Sequence, residues 1–242
     1  MKKKILENIK TILYALVIAL LIRTFLFQPF YIPSSSMETN LLVGDRLFVS
    51  KYNYGYSRHS FPFSLNIIKE RFYGKTPKRG DVVVFKTPSD NRTDYIKRLV
   101  GLPGDNVKFI DGDLHINGNQ VLKTRISTND SIYCGSRTIP VNTFEEKLPN
   151  GKKYNSVYIK NYTFDDSDNF IVPANHYFFL GDNRDCSKDS RFLADVGYVH
   201  EDNLVGKAQF IFFSSDYRKG SVFKFWKWPD ILRINRFFKK IN

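Results

Sequence analysis

Seventeen consecutive residues, Thr11 to Phe27, carry a single charge, Arg23, and no other segment restricts the folding of this chain as tightly. As a helix rising about 1.5 Å per residue the run reaches about 25 Å, close to the roughly 30 Å of a hydrocarbon core. Snorkelling of flanking side chains makes up the difference, and Arg23 lies near enough to one end for its guanidinium to reach headgroups. Lys2, Lys3, Lys4 and Lys10 precede the run against Glu7 alone. The positive-inside rule therefore predicts that residues 1–10 stay cytoplasmic, that residues 11–28 form a transmembrane anchor, and that the remainder is exported. A cleavable leader needs small residues at its end, and Phe25 to Ile32 offers bulky side chains and Pro29.

Beyond Pro29 the apolar pattern shortens and its period becomes two. Residues 46–52, 81–86, 106–110, 113–117, 176–180 and 208–213 read as strands, separated by turn pairs such as Gly44-Asp45, Asp111-Gly112, Asn117-Gly118 and Gly181-Asp182. Twenty-two Phe and fourteen Tyr favour strands further. The expectation is a mainly β exported domain over residues 29–216, with an insertion at about 106–175. Within it residues 127–168, polar and rich in Asn, Asp and Lys, suggest an inserted lobe or mobile ribbon. Residues 217–242 hold eight Lys or Arg against one Asp, interleaved with Phe223, Phe225, Trp226, Trp228, Phe237 and Phe238. With a net charge of +13, basic residues beside Trp and Phe suit a segment lying on anionic lipid, and the export topology argues against nucleic acid.

Several chemistries lack their signatures. His59, His115, His176 and His200 show no paired ligand spacing, and Cys134 and Cys186 stand 52 positions apart without a C-x-x-C. One disulfide is compatible with an oxidising compartment; neither metal nor cofactor is expected. There is no G-x-S-x-G elbow, phosphate loop or dinucleotide fingerprint. Ser34, Ser35 and Ser36 follow Pro33 directly beyond the anchor, on backbone stiffened by the proline. A hydroxyl needs a base to become a nucleophile. A lysine serves only when neutral, which at an ordinary pKa of ~10.4 is roughly one molecule in 2,500 at pH 7, so it must be desolvated. Lys97 shares a strand face with Tyr95 and Leu99, but Lys51 and Lys86 follow the same alternation. The polar turn Gly181 to Arg191 has the carboxylates, guanidiniums and hydroxyls needed to orient a catalytic group.

Three separated segments together resemble the bacterial type I signal peptidases, membrane-anchored serine proteases that remove signal peptides from exported preproteins. They are Pro33–Met37 with Leu41–Asp45, Arg79–Phe85 with Asp94–Asp105, and Gly181–Arg191 with Leu204–Ala208. A departure is Met37-Glu-Thr-Asn-Leu41, where the family usually has M-x-P-T-L. The resemblance implies the family's antiparallel β fold behind one transmembrane helix. It implies a dyad of Ser36 as nucleophile and Lys97 as general base, with Ser34 and the Ser36 N–H as oxyanion donors. Ser187 would hydrogen-bond and orient Lys97, Tyr95 would pack over its stem, and Asp189 with Arg191, together with Asp182 and Arg98, would brace the surroundings. The substrate would lie extended along Phe30, Ile32, Pro33, Met37, Val84 and Ile96, in shallow pockets suited to Ala-x-Ala before the cut. Implied partners are preproteins, phospholipid and a nearby secretion translocon, at the outer, periplasmic face of the cytoplasmic membrane, without nucleic acid. Rival readings are a self-cleaving repressor-type Ser/Lys protease, which lacks a reason for the anchor, and a non-enzymatic envelope adaptor.

Overall fold

In the computed structural model, which describes residues 2–61, 64, 68, 70–160, 166–221 and 223–241, the lack of Gly and Pro before Pro29 lets one helix run through the whole apolar segment. Helix α1 (Lys2–Leu21) passes into a π-helical turn over Ile22–Leu26, and strand β1 (Phe27–Tyr31) follows with no linker. Lys3–Leu26 is long and apolar enough to cross a membrane, and almost none of it is buried inside the protein. It ends where Phe27 turns extended, just before Pro29, whose missing N–H and fixed φ exclude another helical bond.

Seven antiparallel strands make the main sheet, in the order β1, β2 (Asp45–Ser50), β14 (Leu204–Ser214), β3 (Val82–Lys86), β4 (Asp94–Gly101), β12 (His176–Leu180), β13 (Val199–His200). Register shifts where β14 meets β2 and β3 bend this long strand, and the sheet curls into a half-barrel. Period-two alternation feeds two cores. On β3, Val82 and Val84 join Ile32, Leu47, Val49 and Ile211, whereas Val83 and Phe85 face the cluster containing Leu99, Tyr177 and Phe179.

A four-stranded sheet, β11 (Phe170–Ile171), β5 (Asn106–Ile110), β6 (Asp113–Ile116) and β7 (Asn119–Gln120), shares a third core with Val100, Phe178 and Leu180 of the main sheet. The polar stretch expected to form a lobe or mobile ribbon is a hydrogen-bonded antiparallel sheet of β8 (Leu122–Cys134), β9 (Arg137–Lys147) and β10 (Lys153–Ile159). Residues 161–165 of that stretch lie outside the described ones. Cys134, at the end of β8, is disulfide-bonded to Cys186 of the polar turn, with the Cα atoms 5.8 Å apart. The C-terminal segment returns along β14, with Phe210 bridging Lys240 and Ser215 bridging Leu232. It is pinned by a buried Arg236–Asp45 ion pair and by Ile231 and Ile241, both buried.

Candidate active site

The backbone of Ile32 and Gly44 exchanges hydrogen bonds with Asp45 and Ile32, closing a loop that carries Ser34 to Ser36. Below that loop Met37, fully buried, packs into the core with Ile32 and Leu41. Met37 is therefore not part of the substrate cleft that the sequence suggested. Its side chain follows the inward side of the turn and ties the serine loop to the core instead. The polar turn covers the loop from the other side. Asn183 donates its N–H to the Ser36 carbonyl oxygen at 3.2 Å and its side-chain amide to the Ser35 carbonyl oxygen at 3.1 Å. A Cβ on Gly181 would collide with the Ser187 hydroxyl and lie 2.6 Å from the Ser36 carbonyl oxygen, so only glycine allows this approach.

Strand β4 delivers Lys97. Its Nζ lies 2.6 Å from Ser36 Oγ and 3.1 Å from the Ile96 carbonyl oxygen, with Lys97 3% and Ser36 7% exposed. The Tyr95 ring centroid is 5.1 Å from the same nitrogen. Ser34 Oγ stands 3.4 Å from Ser36 Oγ. Burial brings the Lys97 amine down to about 8, opposed by the negative charges of Asp189 and Asp182. Lys51 is equally buried and is also lowered to about 8, first by burial and then by the charge of Arg23. Its amine meets the Ser60 carbonyl oxygen, not a hydroxyl. Lys86 pairs with Asp94 at 2.8 Å. Of the three lysines that alternation left open, Lys97 alone is placed against Ser36.

The expected bond from Ser187 to Lys97 is not made. Ser187 Oγ is buried near the Asp189 carboxylate without the alignment of a hydrogen bond, while the amine is engaged by Ser36 and the Ile96 carbonyl oxygen. Asp189 receives the Gly181 N–H at 2.9 Å and Arg191 at 2.8 Å. Burial raises its carboxyl, but Arg191 and the Gly181 N–H more than offset this and hold it below the usual range. Asp182 accepts two bonds from Arg98, at 2.7 and 2.8 Å, and one from Asn40 at 2.7 Å. The Arg98 guanidinium also lies 4.2 Å from the centre of the Tyr154 ring.

Behind this layer is a group that sequence reasoning passed over. Arg184 makes a bidentate, fully buried pair with Glu146 of β9 at 2.5 and 2.8 Å and also donates to Tyr154 and Tyr158. Glu146 gave no signal because its immediate neighbours Glu145 and Lys147 are charged; its partners are Tyr154, Ser156 and Tyr158 of the adjoining strand β10 and Arg184 of the turn.

The cleft beside Lys97 encloses about 560 Å³ and is lined by Phe30, Tyr31, Ile32, Pro33, Ser34, Ser36, Val84, Thr93, Asp94, Tyr95, Ile96 and Lys97, together with Cys186 and Lys188. Ile32 and Val84, both almost wholly buried, give it an apolar wall. No group of side chains suited to a metal ion occurs among the described residues.

Residues 5–213 match the family model of signal peptidase, peptidase S26. The chain belongs to the signal peptidase family. Signal peptidase I of Rickettsia typhi (strain ATCC VR-144 / Wilmington) is 38% identical over 256 residues, covering 99% of this chain and 95% of that one. Its counterpart in Rickettsia conorii (strain ATCC VR-613 / Malish 7) is 40% identical over 245 residues, covering 94% and 90%. A crystal structure of a signal peptidase I from Enterococcus faecalis V583 is 28% identical, covers 55% of this chain and 97% of that one, and has a TM-score of 0.34.

Proposed function

We propose that this chain is a membrane-anchored serine endopeptidase that removes N-terminal signal peptides from exported preproteins with a Ser36/Lys97 dyad. The observation that carries the reading is the 2.6 Å approach of a buried amine to a serine hydroxyl at the mouth of an apolar cleft. With Lys97 neutral, Ser36 Oγ–H donates to the Nζ lone pair and loses its proton to it as Oγ attacks the scissile carbonyl carbon. The oxyanion that forms is within the compass of the Ser36 N–H and the Ser34 hydroxyl; losing such a donor typically costs about 100 to 1,000-fold in rate. The Lys97 ammonium then protonates the leaving amine, a water gives its proton to the regenerated amine, and the acyl ester is hydrolysed. The Ile96 carbonyl oxygen and the Tyr95 ring keep the amine in place, the Asp189 charge acts on it from beyond contact, and Arg191, Asp182 and Arg98 hold the surrounding charges.

The substrate lies extended between β4 and the segment Phe30 to Ser34, so backbone pairing supplies affinity while side chains alternate into and out of the cleft. Ile32, Val84 and Ile96 leave space for small side chains only, which favours Ala-x-Ala before the cut. Basic residues before the anchor support a catalytic domain on the outer side of the cytoplasmic membrane, near the translocon. Phe223, Phe225, Trp226 and Phe238 are exposed beside lysines on the C-terminal segment and rest on the lipid surface.

The test uses full-length protein in detergent with a preprotein bearing Ala-x-Ala and one bearing bulky residues at those positions. Cleavage of the first alone, abolished by Ser36→Ala and by Lys97→Met, is expected. Equal cleavage by all three proteins would remove the dyad, and no cleavage by the parent would remove the activity.

A further inference from the structure

A second polar cavity, of about 180 Å³, opens where the anchor joins the domain and is separate from the dyad. Arg23 and Thr24 of the last helical turn line it from one side, Lys51 and Lys86 from the other, with Ser60 between them and Asp94 as its acidic residue. The geometry is fixed rather than a loose encounter of side chains. The Lys51 N–H bonds the Leu26 carbonyl oxygen at 3.0 Å, the Tyr56 hydroxyl bonds that of Phe25 at 2.9 Å, and the Phe25 ring packs edge-on against Tyr56 and Phe61.

The charges in this cavity do not balance. Asp94 is taken by Lys86 at 2.8 Å. Among the described residues neither Arg23 nor Lys51 has a carboxylate partner, and the buried Lys51 ammonium has the Ser60 carbonyl oxygen as its hydrogen-bond acceptor, at 2.5 Å. Two unpaired cations facing a small polar space attract an anion with several acceptor oxygens. His59 adds no charge: burial first, then neighbouring Arg58 and Lys86, push it down to about 4. Arg23 lies three positions before the end of the Lys3–Leu26 span, about 4.5 Å along the axis, which is headgroup depth if that helix crosses a bilayer.

We infer that the cavity formed by Arg23, Lys51 and Lys86 is a binding site for a phosphate-bearing anion at the membrane surface. The chemistry is shared by an anionic phospholipid headgroup and by free phosphate; the site's depth favours the first. The inference rests on the helix spanning a membrane and does not depend on the dyad's activity.

The test is a calorimetric titration of the full-length protein in neutral detergent with dioctanoyl phosphatidylglycerol, dioctanoyl phosphatidylcholine and inorganic phosphate. Expected is one saturable site for phosphatidylglycerol, weakened about tenfold or more by Arg23→Gln and by Lys51→Gln, and unchanged by Lys147→Gln, which removes an exposed lysine of β9. Arg23 is exposed, so its variant folds even if the buried Lys51 variant does not. Inorganic phosphate binding as tightly, with the same sensitivity to Arg23→Gln, would support the site and assign it to free phosphate. Phosphatidylcholine binding equally well, an unaffected Arg23→Gln variant, an equal loss in the Lys147→Gln variant, or no binding of any probe would overturn the inference.

Discussion

The lowered Lys97 amine makes the pH dependence of cleavage the sharpest test of the dyad. At about 8, roughly one amine in ten is neutral at pH 7, against about one in 3,000 at its ordinary 10.5, so burial raises the available base about 300-fold. Between pH 6 and pH 8 the neutral fraction climbs about 50-fold and then levels off. Peptide cleavage kcat/KM, measured in detergent from pH 6 to 10, should follow that curve. Asp189→Asn gives the inference its direction. The Asp189 carboxylate favours the charged amine, and its loss also removes the negative charge that offsets the Arg191 guanidinium nearby. Both changes move the inflection to more acid pH. An inflection that shifts to alkaline pH, or a rate flat from pH 6 to 9, would refute Lys97 as the base. Stability carries the same sign. Keeping the buried ammonium in the fold costs about 3 kcal/mol below pH 8, a cost that disappears as the pH rises from about 8 towards 10.5.

Glu146→Gln should lower the Tm by about 10 °C, because Arg184 is left as an unpaired buried charge; a change within 2 °C measured by calorimetry would contradict this. Arg184 and the hydrogen bonds outweigh the burial that raises the Glu146 carboxyl and bring it to about 2. The stability it confers is present above its ordinary value of 4.5 and is lost as the pH falls towards 2, which acid denaturation will reveal. Met37→Ala should destabilise the fold by about 2–5 kcal/mol in urea unfolding without altering cleavage preference; altered preference at unchanged stability would return Met37 to the cleft. Replacing Cys134 and Cys186 by Ser should cost about 2–5 kcal/mol, and an unchanged unfolding midpoint would show that the bridge contributes nothing.

Periodicity made the fold legible because strands such as β3 and β4 feed cores on both faces, and the apolar N-terminal helix is legible from composition alone. The ribbon β8–β10 was obscured because its polar residues pair with one another, as Glu146 does with Tyr154, Ser156 and Tyr158. Local pattern could not separate Lys97 from Lys51, and for a physical reason: both side chains are buried and both amines are lowered alike. What distinguishes them is the partner, a hydroxyl brought across 61 positions in one case and a carbonyl oxygen in the other. Family motifs selected Lys97 where alternation did not. Met37 misled because motif adjacency to Ser36 says nothing about which side of the turn a side chain takes.

The direct run from Leu26 into β1, clamped by Phe25 on Tyr56 and Phe61, removes the freedom of the catalytic domain to bob on a tether. On the proposed topology, Ser36 then hovers at a set altitude over the lipid. For a substrate whose own apolar helix stands in the same bilayer, that proposal makes the protein a depth gauge: peptides whose cut site surfaces too high or too low would miss the blade, whatever their local residues.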